Sequence, residues 1–279
     1  MKILISHDVD HMSYWEHTGD LILPKYFVRS WLELVKGKIS VKELGYRHAA
    51  LFHNQWQHIQ EIIDYNSSMG FKSTFFLGMN NGVGLNYPIH YAEKWIPKII
   101  SSGFEVGVHG INYETLEGIQ EEYDRFKGIS GLDSFGIRMH YLRKTDDTFK
   151  NLSQAGYLYD ATQIGYRNPY RENGFWNFPI QIMDGWVVNG KKRYQLRNLE
   201  ECKTFTLNEF KKAEKEGLEY LSILFHDCYF SASFHTWSQW YKWVVNYLKE
   251  EGHEFITHKE AILSLEKEEG QKKGLPIAE

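Results

Sequence analysis

The chain has 279 residues, 42 % of them hydrophobic, with a formal net charge of −4; that length suits one large α/β unit or two ordinary ones, and the charge gives no electrostatic footing for nucleic acid. Its only cysteines, Cys202 and Cys228, lack paired spacing, which argues against a disulfide framework or a thiolate zinc site. No stretch approaches the roughly 18 apolar residues of a membrane span, and the first residues lack a signal-length apolar run, so the sequence reads as a soluble, cytoplasmic protein.

Residues 2–6 have the composition of a buried strand, and the strand runs directly into His7, Asp8, Val9 and Asp10. Residues two apart on an extended backbone share a face, so Asp8 and Asp10 aim at one pocket while His7 and Val9 turn away. Two carboxylates at close range need a cation or a proton between them. A polar, aromatic loop over 11–19 follows, then a helix over 21–35 with Pro24 near its start. Leu51, Trp56, Ile59, Ile62, Ile63 and Tyr65 recur at helical spacing and predict one long helix over 47–69, capped by Gly70.

Strand and helix then alternate: strand 72–77, helix 89–102, strand 104–108, helix 114–129, strand 135–139, helix 146–155 and strand 157–161. A polar-aromatic loop over 162–174 leads to a strand over 176–183. Beyond it come helix 207–216, strand 220–225, helix 237–251, strand 253–257 and a short helix over 260–266. About seven alternations without a linker predict parallel βα units in a single domain, residues 1–266, followed by a charged tail, 267–279. Functional groups of such folds gather where strands end, on the loops that follow. Applied here, that rule selects Asp8, Asp10, His109, Arg138, His140, Asp184 and His226.

A lone histidine after a strand is more often structural than catalytic, but several Asp and His residues around one mouth are a different matter. Three such donors are what a catalytic zinc or similar cation takes, leaving one position for water. A bound cation of that kind acidifies water and polarises a carbonyl; a free carboxylate can take the water proton and a histidine can protonate the leaving group. Asn112, Tyr113, Tyr170, Phe175 and Trp176 are further candidates to line the site, with core packing as the competing reading. Asp160 is a rival for a supporting role. His7 is expected to be structural, and His11, His17 and the remaining histidines to be surface or packing residues.

In these residues the sequence resembles the polysaccharide deacetylases (chitooligosaccharide deacetylase-like), nearly from end to end though only at the level of motifs. The resemblance implies an α/β fold, a distorted seven-stranded (β/α) barrel. Its first motif is matched by Asp8-Val9-Asp10, implying Asp8 as catalytic base and Asp10 as metal ligand. The second has two metal-binding histidines four residues apart; His109 matches the first, but Tyr113 stands in the second position. The third has an arginine that orients the base, matched by Arg138, and His140, two residues on, is the proposed replacement ligand. Leu221 and the residues after it end in His226, matching the motif of the general acid, and Asp184 matches the aspartate that tunes it. The variant motifs look most like a subgroup associated with bacterial surface-polysaccharide biosynthesis.

The expectation is a metal-dependent hydrolase, zinc being the expected divalent metal, that removes an N-acetyl or similar N-acyl group from an amino sugar. Its partner is a small-molecule or oligosaccharide substrate, nucleotide- or lipid-linked rather than finished wall polymer, with no nucleic acid and no membrane span. The alternatives are a carbohydrate-binding barrel that has lost hydrolysis, which the Tyr113 departure motivates, and a hydrolase of a non-sugar amide C–N bond.

Overall fold

The computed structural model describes residues 1–172 and 174–272. Among them ten strands form one sheet: β1 (Lys2–Val9), β2 (Thr74–Gly78), β3 (Glu105–Gly110), β4 (Ile137–Met139), β5 (Tyr159–Asp160), β6 (Tyr170–Glu172), β7 (Phe175–Asn177), β8 (Ile182–Met183), β9 (Tyr220–Leu224) and β10 (Glu254–Phe255). The spatial order is β6-β7-β5-β4-β3-β2-β1-β9-β8, with β10 beside the start of β1. All pairings are parallel except β6 with β7. Residues 178–181 carry the chain from β7 on one flank to β8 on the other, and that short link draws the two flanks of the sheet toward each other. The result is a curled α/β sheet with ten strands rather than the expected seven. The stretch expected as one strand, 176–183, divides between two partners, and the loop before it contributes β6.

Ten helices surround the sheet among the described residues: α1 (Ile22–Val35), α2 (Val41–His53), α3 (Ile59–Ser68), α4 (His90–Ser101), α5 (Leu116–Ser130), α6 (Thr148–Ala155), α7 (Asp184–Val188), α8 (Leu199–Lys215), α9 (His235–Glu250) and α10 (His258–Lys272). The helix expected over 47–69 is two. Ser40 caps α2, its hydroxyl accepting from the Glu43 N–H, and Asn54 ends that helix in the left-handed region at φ 49°. The short link to α3 delivers Trp56, 5 % exposed, against His11. α8 begins earlier than expected, at an Asn198–Glu201 capping box. α10 continues to Lys272, six residues into the stretch expected as tail, and 273–279 lie outside the described residues.

Alternation along β1 separates two apolar cores. Ile3, Ile5 and Val9 face the helices, where α9 contributes Trp237, Trp240, Tyr241, Val244, Val245 and Leu248 at helical spacing. Leu4 faces the interior of the curl with Phe76, Tyr159, Phe178, Tyr220 and, from α10, Ala261 and Ile262. A Cβ on Gly136 would lie 2.1 Å from the Tyr159 ring, so that interior fits only around a glycine. Asp8 belongs to the interior set, directly above this plug.

Candidate active site

Parallel pairing in register brings the ends of β1, β2, β3 and β4 to one level: Val9 pairs with Leu77, Gly78 with His109, and His109 with Arg138. Ser6 pairs with Leu224 on the other side, so His226 follows β9 near the height of Asp8. Every residue that the strand-end rule selected therefore converges on one mouth.

Asp8 is 2 % exposed and its Oδ1 accepts a 2.8 Å hydrogen bond from Arg138 Nη1. Arg138 is itself fully buried, donates through Nε to the Ala161 carbonyl at 2.8 Å and stacks over Phe76 at 4.5 Å. Burial pushes the Asp8 carboxyl up, but the Arg138 guanidinium and nearby imidazoles outweigh it and hold Asp8 below the usual carboxylate range. An ionised, anchored carboxylate is the outcome.

Asp10, His109 and His140 form a separate cluster. His109 Nε2 lies 3.1 Å from Asp10 Oδ1, His140 Nδ1 lies 3.4 Å from the same oxygen, and the two nitrogens are 3.0 Å apart. The far nitrogen of each ring faces a backbone carbonyl: His109 Nδ1 meets Arg138 O at 3.0 Å and His140 Nε2 meets Val83 O at 2.8 Å. A carbonyl only accepts, so those nitrogens carry the protons and the inward ones are bare in the neutral rings. Asp10 Oδ1 is buried without a hydrogen bond. Three electron-rich atoms facing one another this closely require a proton or a cation among them. A tetrahedral zinc with bonds of about 2.0–2.1 Å sets its ligand atoms about 3.4 Å apart, close to the spacing here. The donor set fits a divalent metal, and the two carbonyls serve as the outer partners that orient ligating histidines.

His226 Nδ1 lies 2.9 and 3.1 Å from the two Asp184 oxygens, and its backbone N–H donates to Asp184 Oδ2 at 2.7 Å. Its Nε2 faces Asp10 Oδ2 at 3.8 Å. Burial lowers the affinity of His226 for a proton, but Asp184 overrides this and the imidazole is pushed up to about 10. At neutral pH it is an imidazolium aimed across the site.

The rest of the sequence reading divides. His7 is structural, with Nδ1 at 3.0 Å from Phe225 O and Nε2 at 3.1 Å from Ser73 Oγ. Asp160 caps its own turn, accepting from the Thr162 N–H and hydroxyl, and does not reach His226. Tyr113 packs under the Arg143 guanidinium at 5.1 Å, and Asn112 bonds back to Gly118 O at 3.3 Å. The aromatics expected to line the site do not line the cleft beside it: Phe175 and Trp176 are core residues and Tyr170 belongs to the β6–β7 hairpin. The cleft, about 540 Å³, is walled by Trp56, Tyr26, Tyr141, Tyr194, Tyr229 and Phe234 instead.

Five residues that the strand-end rule passed over shape this region. Tyr141 and Leu142 sit at φ 55° and 53°, a conformation that only the surrounding structure can enforce, just after His140. Tyr87 bridges two strand ends, its hydroxyl donating to Val9 O at 3.1 Å and accepting from the Gly78 N–H at 2.6 Å. Asp227, next to His226, is buried and accepts from the His58 N–H at 3.0 Å. His11 stacks on Trp56 at 4.3 Å and forms a second donor group with Glu16 and His17. In that group His17 Nδ1 lies 2.8 Å from Asp20 Oδ2 and Glu16 accepts from the Met12 and Ser13 N–H groups, so it is satisfied by protons. Neither left-handed backbone nor cross-sheet bridging leaves a readable sequence pattern.

No protein-family model matches the chain, and no curated protein matches it. Solved structures do. A protein described as a polysaccharide deacetylase from Mycobacterium smegmatis aligns over 100 % of this chain and 92 % of its own, with TM-score 0.58 and 13 % identity. A polysaccharide deacetylase assignment from Pseudomonas aeruginosa PAO1 aligns over 94 % and 88 %, with TM-score 0.57 and 11 % identity. An allantoinase aligns over 93 % and 87 %, with TM-score 0.59 and 12 % identity. At such identities the likeness is one of fold: a curled α/β sheet of the deacetylase type.

Proposed function

We propose that the chain is a metal-dependent hydrolase, residues 1–266 acting as one unit, that removes an N-acetyl or similar N-acyl group from an amino sugar. The observation that carries the reading is the meeting, at one strand-end mouth, of an arginine-held carboxylate, an Asp-His-His donor cluster and an aspartate-held imidazolium. Asp10, His109 and His140 would hold a divalent metal, which when bound would supply Lewis acidity toward water and the amide carbonyl. Asp8, kept ionised by Arg138, takes the proton of the attacking water. His226 gives its Nε2 proton to the departing amine nitrogen, and Asp184 holds the ring in the tautomer and orientation that this needs. The acyl carbon gains the water oxygen, the C–N bond breaks, and a free amine and a carboxylic acid leave.

The test is acyl release from a panel of N-acylated amino sugars by metal-loaded protein, alongside its metal content. Asp8→Asn is expected to lower kcat by about 10²–10⁴-fold with metal content unchanged. Wild-type turnover in that variant would remove Asp8 from its role, and failure to retain any divalent metal would favour a carbohydrate-binding barrel. The allantoinase likeness supports a second reading, hydrolysis of a non-sugar amide C–N bond. Release of product from ureides but not from acylated sugars would establish it.

A further inference from the structure

Helix α1 carries apolar side chains on both its buried and its outward face. Its buried face joins Leu23 and Tyr26 to Ser30 and Glu33, the last two 0 % exposed and Glu33 held by Arg47 Nη1 at 2.7 Å and Arg29 Nε at 2.8 Å. Its outward stripe is Leu21, Val28, Trp31, Leu32 and Val35, which are 66, 69, 52, 37 and 82 % exposed. A helix whose outward face meets only water is polar there. The stripe passes onto α2, where Phe27 and Trp31 approach His48 at 5.8 and 6.0 Å and where Val41 and Phe52, 75 and 89 % exposed, share the His48 row. An apolar surface of this extent marks an interaction site.

Lysines flank it. Lys25 lies in α1, Lys36 at its end, Lys38 in the link and Lys42 in the first turn of α2, and none of them is in an ion pair among the described residues. The stripe is also continuous with the candidate active site: Leu21, Val28 and Leu32 wall the cleft that ends at Asp10, together with Lys25 and Arg193. The formal charge of −4 concealed this local excess of cations.

We infer that α1 and α2 dock on an anionic membrane surface and that the cleft takes the sugar head of a lipid-linked substrate. Lys25 and Arg193 would meet its phosphate, and the lipid chain would leave along Leu21, Val28 and Leu32 toward the bilayer. The substrate part rests on the hydrolase reading above; the docking part does not. An anionic bilayer complements both features, acyl chains for the stripe and headgroups for the lysines. A two-fold dimer through this face would set the lysines against their own copies and cover the cleft. Among the described residues no helix is long and apolar enough to cross a membrane, so the face would lie on the surface.

The experiment is sedimentation of the full chain with vesicles of phosphatidylglycerol and phosphatidylethanolamine, and with phosphatidylcholine vesicles. Binding to the first and weak binding to the second are expected. The double variant Trp31→Glu, Val35→Glu should lose about tenfold or more in vesicle affinity, with its circular dichroism, metal content and turnover of a soluble acylated sugar unchanged. No sedimentation with anionic vesicles would overturn the docking, as would undiminished binding by the double variant. A stable dimer in light scattering that the double variant dissociates would assign the face to a second copy. For the substrate, an N-acetylated sugar on a polyprenyl phosphate in anionic vesicles should turn over about tenfold faster than the free sugar; equal rates would remove the lipid-linked class. Vesicle binding without turnover of any acylated sugar would leave docking standing and sink the hydrolase reading, and turnover without vesicle binding would do the opposite.

Discussion

At the scale of single residues, the divergent position is His140. The resemblance placed a metal-binding histidine where Tyr113 stands, and Tyr113 packs under Arg143. His140 presents Nδ1 to Asp10 and His109 because the Val83 carbonyl holds its far nitrogen. His140→Ala is therefore expected to weaken zinc or cobalt binding by more than the about 10–100-fold typical of losing an outer partner, read by competition with a chromophoric chelator. Unchanged affinity would take His140 out of the ligand set. A second residue-level expectation concerns His226. Asp184 raises its affinity for a proton, and in the proposed mechanism the acid form is the useful one, so activity is expected below its pKa and its loss above it. Asp184→Asn should therefore lower kcat and move the alkaline limb of the pH–rate profile down by at least about one pH unit. An alkaline limb that stays in place would show that His226 does not set it.

At the scale of elements, a buried arginine joins α1 and α2 to each other and to the turn before α9. Arg47 Nη1 meets Glu33 at 2.7 Å, Nη2 meets Glu43 at 3.1 Å, and Nε donates to Ser233 O at 2.7 Å in the turn before α9. Removing it leaves buried carboxylates short of a partner. Arg47→Ala is expected to cost about 3–5 kcal/mol, measured by urea denaturation; a cost below about 1 kcal/mol would place it with ordinary surface pairs. The same joint explains why Trp56 could not be helical. Asn54 ends α2, the chain turns, and Trp56 drops between His11 and Tyr14, stacking on both at 4.3 Å. Apolar spacing alone carried the expected helix straight through that turn.

At the scale of the whole molecule, buried neutral histidines lower stability in acid, opposed by Glu122 and Asp160, whose carboxyls burial pushes up to about 7 and about 6. Burial pushes His7 down from 6.5 to about 3, and His11 to about 4. Below the ordinary value the unfolded chain takes up protons that the folded one refuses, so the contribution of these two groups is full above about pH 6.5 and is lost as pH drops toward those lower values. For His7 alone the loss is about 2 kcal/mol by pH 5. In melts of chelator-treated protein, His7→Gln, which keeps hydrogen-bonding groups in place, should lose less stability between about pH 6.5 and about pH 5 than the parent. An equal loss in both proteins would mean that His7 does not carry it.

Much of this organisation was written in the chain itself. A run of apolar residues that ends in Asp or His identifies a strand with its functional end, because parallel strands present their C-termini on one side. That local rule selected Asp8, Asp10, His109, Arg138, His140, Asp184 and His226, which the fold brings to one mouth, and alternation turned His7 outward. Tertiary structure decided what depends on partners distant in sequence: which carbonyl holds each imidazole, the splitting of 176–183 between β5 and β9, the aromatics that wall the cleft, and which face of α1 is buried. The reason is physical. Periodicity reports which side chains share a face, whereas which face is buried depends on what the rest of the fold sets against it. For α1 that is Arg47, which draws Glu33 inward and leaves Val28, Trp31 and Val35 outside.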